Sequence, residues 1–326
     1  MSYHEANQLL TLRHEKMNTN IEFSLDLGQS FREISLRQEG ILIDEEKLIV
    51  TWDEVEMIGR KKSCFSLYDD GSKPWQISTL SENTGIPASL SPPLDGSGAP
   101  TLVLGGFTMH RISGDNVNPT VDTSAKLSSI RINKGNIVLD TCMGLGYTAI
   151  GAAKLVGDQG RVVTIEYDKA SLEIASFNPW SQGLFDRSLP IEIHEGSIPI
   201  ARTTKKIFAM TPLGDACEII KSFESHTFSC VIHDPPARAL CRTGLYGVLF
   251  YRELRRVLRH GGQLFHYIGS PDSKESGRLY GGVMSRLKEA GFSRIKKAPR
   301  AFGVVAIADS GSHDYEYIHQ IDADDS

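Results

Sequence analysis

Three stretches of this 326-residue chain hold residues whose types and spacing could do chemistry. In "CVIHDPPARALCR", residues 230–242, an apolar run ends in His233 and Asp234, two prolines follow, and Arg238 and Arg242 come next. An imidazole and a carboxylate are both candidate general bases. Asp234 closes a strand, and the C-terminal ends of strands are where open α/β sheets bind ligands. His233 reads equally well as a core histidine, because neighbours on a strand face opposite ways. Pro235 and Pro236 stiffen the loop and remove two N–H donors, so carbonyls are left to face a bound molecule. A guanidinium pairs with phosphate or carboxylate in a fork, so Arg238 and Arg242 point to an anionic acceptor. Cys241 reads as a loop or buried cysteine rather than a nucleophile.

The second stretch is "VLDTCMGLGYTAIGAAKL", residues 138–155, in which a strand ends at Asp140 and a helix begins near Tyr147. Gly144 and Gly146 allow a sharp turn and close approach of a ligand to the backbone. The helix start behind them offers N–H groups. A dinucleotide fingerprint would continue to a third small residue, and Ala149 stands there. The next strand ends in "TIEYD", which places Glu166 about twenty residues past the turn, where a carboxylate accepts both hydroxyls of a ribose. That spacing suits NAD and S-adenosylmethionine alike. The third stretch, "PLGDAC" at 212–217, sets Gly214 in a turn and Asp215 at a helix start. Asp215 fits an N-cap and also an acceptor for an adenine amino group, and the two roles are compatible.

These residues need elements to position them. After Lys126 apolar runs alternate with helical patterns, the mark of βαβ units and a parallel sheet. Strands are expected at 136–140, 161–166, 190–194, 228–234 and 263–269. Helices are expected at 147–156, 169–177, 215–223, 246–260 and 281–291, the fourth closed by Gly261-Gly262. "SRIKKA" and "GVVAIAD" are expected to pair antiparallel. The front of the chain differs: after a helix or arm over 1–18, short period-two runs succeed one another from 20 to about 80. The Pro/Gly/Ser-rich 85–100 reads as a loop, and 101–112 as a strand. The expected division is a strand-rich domain over 1–118 and an α/β, Rossmann-like, doubly wound, mostly parallel domain over 119–326.

Composition narrows the class. The first 120 residues carry 10 Lys+Arg against 17 Asp+Glu and the rest 25 against 23. The acidic front argues against a broad nucleic-acid footprint there. The five cysteines include no C-x-x-C pair, which argues against a disulfide framework or zinc knuckle, and no metal is expected. No apolar run reaches membrane-spanning length, and the start carries no signal-peptide pattern, so a cytoplasmic protein without a membrane partner is expected.

The residues from about 120 to 309 resemble a class I S-adenosylmethionine-dependent methyltransferase. The resemblance rests on the Asp-x-Cys-x-Gly-x-Gly turn, the acidic second-strand tip, the Gly-Asp-Ala corner, Asp-Pro-Pro and "LRRVLRHGGQLFHY", in family order. "MHR" (109–111), "FNPWS" (177–181) and "HDPP" are similar to a predicted archaeal-type methyltransferase family without an assigned substrate, and that likeness takes in the front domain. There is a more distant likeness to spermidine synthases and wobble-uridine-modifying tRNA methyltransferases. The resemblance implies that S-adenosylmethionine meets Asp140, Gly144 and Gly146 at its methionine end, Glu166 at the ribose and Asp215 at the adenine, with Asp234 facing the transferring carbon. It also implies Cys142, Tyr147, Thr148, Tyr167, Gly214 and Ala216 among the residues that bind the cofactor. The stretch 195–213 departs from the family as an insertion, so Glu195 or Ser197 competes with Asp215 for the adenine. Amino-methylating relatives carry an aromatic residue after Asp-Pro-Pro, and Ala237 stands there instead. Pro235, Pro236, Arg238 and Arg242 then border the acceptor, RNA or a small anionic molecule, and His110 and Arg111 are candidates from the front domain. A homo-oligomer remains open. Aminopropyl transfer is the competing activity, disfavoured by the two arginines beside Asp234. A non-catalytic adenosyl-ligand module is a third reading. NAD-dependent oxidoreduction is a fourth, disfavoured because neither the Gly-Asp-Ala nor the Asp-Pro-Pro corner has a role in hydride transfer.

Overall fold

Ser2 and Thr51 each stand three residues before a glutamate, and each opens a helix through a reciprocal capping box. The structure is a computed structural model that describes residues 1–43, 47–67, 72–96, 98–112, 117–186, 188–194, 215–236, 244–270 and 274–309. These fall into two compact units, Met1–Asp122 with Asp168–Phe185, and Thr123–Tyr167 with the chain from Asp186 onward.

In the first unit α1 (Tyr3–Glu15) precedes an antiparallel meander of β1 (Asn20–Phe23), β2 (Arg32–Leu36), β3 (Gly40–Ile43) and β4 (Lys47–Thr51). Then comes α2 (Trp52–Gly59), which the period-two reading of 47–52 does not anticipate. Ala6 and Leu9 of α1 and Val55 and Ile58 of α2 close a core with Ile34, Leu36, Ile41 and Val50. The pair β5 (Phe65–Ser66) and β6 (Trp75–Gln76) leads to a second meander of β7 (Ser78–Leu80), β8 (Pro87–Ser91), β9 (Thr101–Leu104) and β10 (Phe107–Thr108). Two expectations are corrected here. The stretch 85–100 is not all loop: β8 lies within it, with Pro87 at its first position, where a missing donor is tolerated. The strand expected over 101–112 is instead a hairpin, broken at Gly105 and Gly106.

The chain passes into the second unit along α3 (Pro119–Leu127), then through β11 (Ile137–Asp140), α4 (Tyr147–Val156), β12 (Arg161–Ile165) and α5 (Lys169–Phe177). A 3-10 helix (Pro179–Leu184) and β13 (Ile191–His194) follow, and after residue 214 come α6 (Ala216–Ile219), β14 (Phe228–His233), α7 (Val248–Val257), β15 (Leu258–Tyr267), α8 (Lys274–Glu289), β16 (Ser293–Ala298) and β17 (Gly303–Ala308). The strands form one sheet in the order β13-β12-β11-β14-β15-β17-β16. The first five are parallel, and β17 is antiparallel to both its neighbours. This is the α/β, Rossmann-like, doubly wound sheet that the sequence predicts. Central strands such as β11 read as unbroken apolar runs because both faces are covered.

The helix expected over 246–260 ends earlier. α7 stops at Val257, the chain enters β15 directly, and Gly261-Gly262 lie inside that strand, where its pairing with β14 shifts register. α5 and the 3-10 helix behind it belong to the first unit. Thr79 Oγ1 donates to Glu173 at 3.1 Å, the Trp75 ring meets Phe177 edge-on at 5.0 Å, and Trp180 Nε1 donates to the Leu27 carbonyl at 2.9 Å. The "FNPWS" segment is therefore an arm of the strand-rich unit. In the second unit α3 lies so close to α4 that a β-carbon at Gly151 would overlap Leu127.

Candidate active site

The chain order explains where a ligand would go. From β11 the chain winds outward to β12 and β13, then returns to lay β14 against the other side of β11. β11 and β14 therefore flank the point where the winding reverses, and the crevice outside their C-terminal ends is the binding place of open α/β sheets. Asp140 ends β11, Asp234 follows β14, and β12 ends just before Glu166.

The turn after β11 is built from left-handed glycines: Gly144 has φ +55° and Gly146, the N-cap of α4, has φ +75°. A β-carbon at Gly144 would meet no atom of the described residues within 4 Å. Glu166 is buried, and its Oε2 accepts the Gly144 N–H at 2.8 Å. The acid at the tip of β12 thus fixes the turn between β11 and α4. Tyr167 beside it is 43% exposed.

Asp140 is fully buried. Its Oδ2 accepts the Thr148 hydroxyl at 2.9 Å, and its Oδ1 accepts the Cys142 N–H at 3.4 Å. Burial pushes its carboxyl up to about 7, and the nearby charge of Asp234 adds to the rise while the Thr148 hydrogen bond opposes it. Asp140 and Thr148 are thereby turned on each other, bracing the turn from inside. Asp215 caps α6 by accepting the Cys217 N–H at 2.9 Å, and Ala216 is buried behind it. Gly214, Glu195, Ser197, Arg238, Cys241 and Arg242 lie outside the described residues.

Two expectations at β14 need correction. His233 is not placed as a base. It is fully buried, its Nε2 donates to the Leu245 carbonyl at 3.0 Å, and its Nδ1 accepts from the Thr141 hydroxyl at 2.7 Å. Burial lowers it to about 3, and its ring packs on Phe250 and on His266, which burial also holds far below the ordinary histidine range. Nor are the carbonyls of the proline pair all turned to a pocket, because that of Pro236 accepts the Tyr246 hydroxyl at 3.2 Å. Pro235 is buried and Pro236 half-buried.

Asp234 has a partner that the motifs do not announce. Lys126, in the last turn of α3, is 1% exposed and places its Nζ 2.6 Å from Asp234 Oδ2. The same ammonium sits 4.6 Å from the centre of the Tyr267 ring, in cation–π range. A lysine at a helix C-terminus ordinarily reads as a solvated complement to the dipole, so nothing local distinguishes Lys126. The front-domain candidates His110 and Arg111 are engaged within the first unit: His110 Nδ1 is hydrogen-bonded with the Thr101 hydroxyl at 3.1 Å, and Arg111 pairs with the buried Asp122.

Topology and site together define a Rossmann-like fold of the class I methyltransferase type. A spermidine synthase in complex with the transition-state analogue AdoDATO superposes with a TM-score of 0.52 at 16% identity, covering 72% of this chain and 73% of that one. That likeness is one of fold. No family model matches the chain. An uncharacterized protein of Methanocaldococcus jannaschii, MJ1233, is 37% identical over 310 residues, 93% of each chain, and this chain belongs to its family. The family thus spans both units. A probable cobalt-precorrin-6B C(15)-methyltransferase (decarboxylating) of Saccharolobus solfataricus is 30% identical over 106 residues, 32% of this chain and 52% of that one.

Proposed function

We propose that the protein transfers a methyl group from S-adenosylmethionine to an acceptor that is not a cation. The observation that carries this reading is the Gly144 turn, pinned by Glu166 at the reversal point of the sheet. The partial likeness to a methyltransferase supports it. The residues present fit the adenosyl group: Gly144 and Gly146 let it approach the backbone, Glu166 stands at ribose depth, Tyr167 offers a flat face and Asp215 a carboxylate for the adenine. Asp140, Thr148 and Cys142 would hold the turn under the methionine end. S-adenosylmethionine supplies an activated methyl on a sulfonium, so the protein's contribution is in-line positioning and exclusion of water. Asp234 is the candidate for holding the acceptor or receiving its proton.

Aminopropyl transfer needs carboxylates that attract a polyamine, and the pairing of Asp234 with Lys126 weighs against it. Arg238 and Arg242, which follow Asp234 in the sequence, add to that and favour a phosphate- or carboxylate-bearing acceptor, RNA or a small metabolite. The strand-rich unit is proposed to take part in recognising the acceptor. Calorimetry of the pure protein with S-adenosylmethionine and S-adenosylhomocysteine tests the reading. Micromolar binding of both is expected, and binding of neither would overturn it. Nucleoside and metabolite mass spectrometry of deletion cells against wild type would then find the acceptor, and Asp234→Ala with no effect on turnover would favour a non-catalytic adenosyl-binding module.

A further inference from the structure

We infer that Lys126 sets the charge of the transfer end of this pocket: its buried ammonium cancels the Asp234 carboxylate, so that the site is built for an uncharged or anionic acceptor. This rests on the methyl-transfer reading above.

The geometry makes the pairing more than an incidental surface contact. The Lys126 side chain is 1% exposed and that of Asp234 15% exposed, and their charged atoms are 2.6 Å apart. An exposed pair of this kind would be loose and screened, whereas a buried one holds because either partner alone would be an uncompensated charge. Tyr267, on the strand next to β14, covers the ammonium from another side. The lysine is delivered by α3, and α3 is held against α4 by the close contact at Gly151, so it does not depend on the loop that carries Asp234. The second aspartate, Asp140, is sealed from solvent with its oxygens on Thr148 and Cys142. Two strand ends that carry two aspartates therefore present little net negative charge to a ligand. An acidic channel for an amine would need the reverse.

The test uses two ligands that differ in charge at sulfur, S-adenosylmethionine, a sulfonium, and S-adenosylhomocysteine, a neutral thioether. Their affinities for the full chain are measured by calorimetry at a pH well above the ordinary carboxylate range. Lys126→Met takes the ammonium away from Asp234, and the affinity ratio is expected to move about tenfold toward the sulfonium. Asp234→Asn takes the negative charge away from Lys126, and the ratio is expected to move about as far toward the thioether. The double variant returns to the wild-type ratio, and Lys126→Arg keeps it. A lysine that only props up the fold would weaken both ligands together and leave the ratio still. Single variants with an unmoved ratio, or a shift in the same direction for both, would overturn the inference. If Lys126→Met does not fold, Asp234→Asn and Lys126→Arg still decide. Failure of wild type to bind either ligand removes the methyl-transfer reading and this inference with it, whereas tight binding with an unmoved ratio removes the inference alone.

Discussion

β11 and β14 lie side by side, and an aspartate stands at the end of each, yet the two carboxylates do opposite work. Asp140 is sealed, hydrogen-bonded to groups within eight residues of itself, and pushed up to about 7 by burial. Asp234 is partly open and is compensated by a lysine 108 residues away in sequence. The β11 end is a local device, a strand, a glycine turn and a helix start that hold each other. The β14 end is assembled from α3, β14 and β15 and exists only once the unit has folded.

The hardest test of that difference is to remove the long-range partner. Lys126→Ala should destabilise the protein by about 3 kcal/mol, because the largely buried Asp234 carboxylate loses the ammonium 2.6 Å from it. Urea unfolding measures it, with the exposed Lys154 as a control that should stay within about 0.5 kcal/mol of wild type. Replacing both partners, as Lys126→Met with Asp234→Leu, should recover much of the loss. A cost below about 1 kcal/mol for Lys126→Ala would mean that the two strand ends are alike in being locally held.

The same contrast explains what could be read from the sequence. The bounds of α4 and α5 and the cores of β11, β12 and β14 follow from apolar runs punctuated by glycine, and the glycine turn with Glu166 follows from spacing within 27 residues. Lys126 was invisible because its neighbours in sequence describe an ordinary amphipathic helix end, and only the packing of α3 buries it. His233 was ambiguous because strand alternation gives two faces without saying which is covered; α7 and β15 cover it. α2 did carry a signal, the Thr51–Glu54 capping box, which the strand periodicity of the residues before it obscured.

The next largest effect belongs to the local end. Glu166→Ala should weaken S-adenosylmethionine by about 10- to 150-fold, corresponding to about 1.5–3 kcal/mol for a charge-assisted hydrogen bond. Glu166→Gln, which keeps an acceptor oxygen for the Gly144 N–H, should lose less. Calorimetry distinguishes them, and equal losses would mean that the charge, rather than support of the turn, is what matters. Smaller still is Gly144→Ala. Its β-carbon would meet no atom of the described residues within 4 Å, so the expected cost is that of a left-handed residue, about 1–2 kcal/mol of stability.

The smallest effect in the wild-type protein is a partial cancellation, and it sets the two strand ends directly against each other. Asp140 is raised to about 7 from an ordinary value of 3.8. Between those values the folded chain holds a proton that the unfolded chain releases, so its contribution is full below 3.8 and is lost as pH rises toward 7. His233 is lowered to about 3 from 6.5. There the unfolded chain takes up the extra proton, so its contribution is full above 6.5 and is lost as pH falls toward 3. Over the shared window, from 3.8 to 6.5, the two slopes oppose each other, each limited to about 1.4 kcal/mol per pH unit. His266, also lowered, adds to the histidine side. Urea midpoints measured across that window and referred to wild type subtract every other group. Asp140→Asn should lose stability relative to wild type as pH falls, and His233→Gln should gain it. Parallel curves for the two variants would mean that the carboxyl group of β11 and the imidazole of β14 are not the oppositely shifted buried groups their surroundings make them.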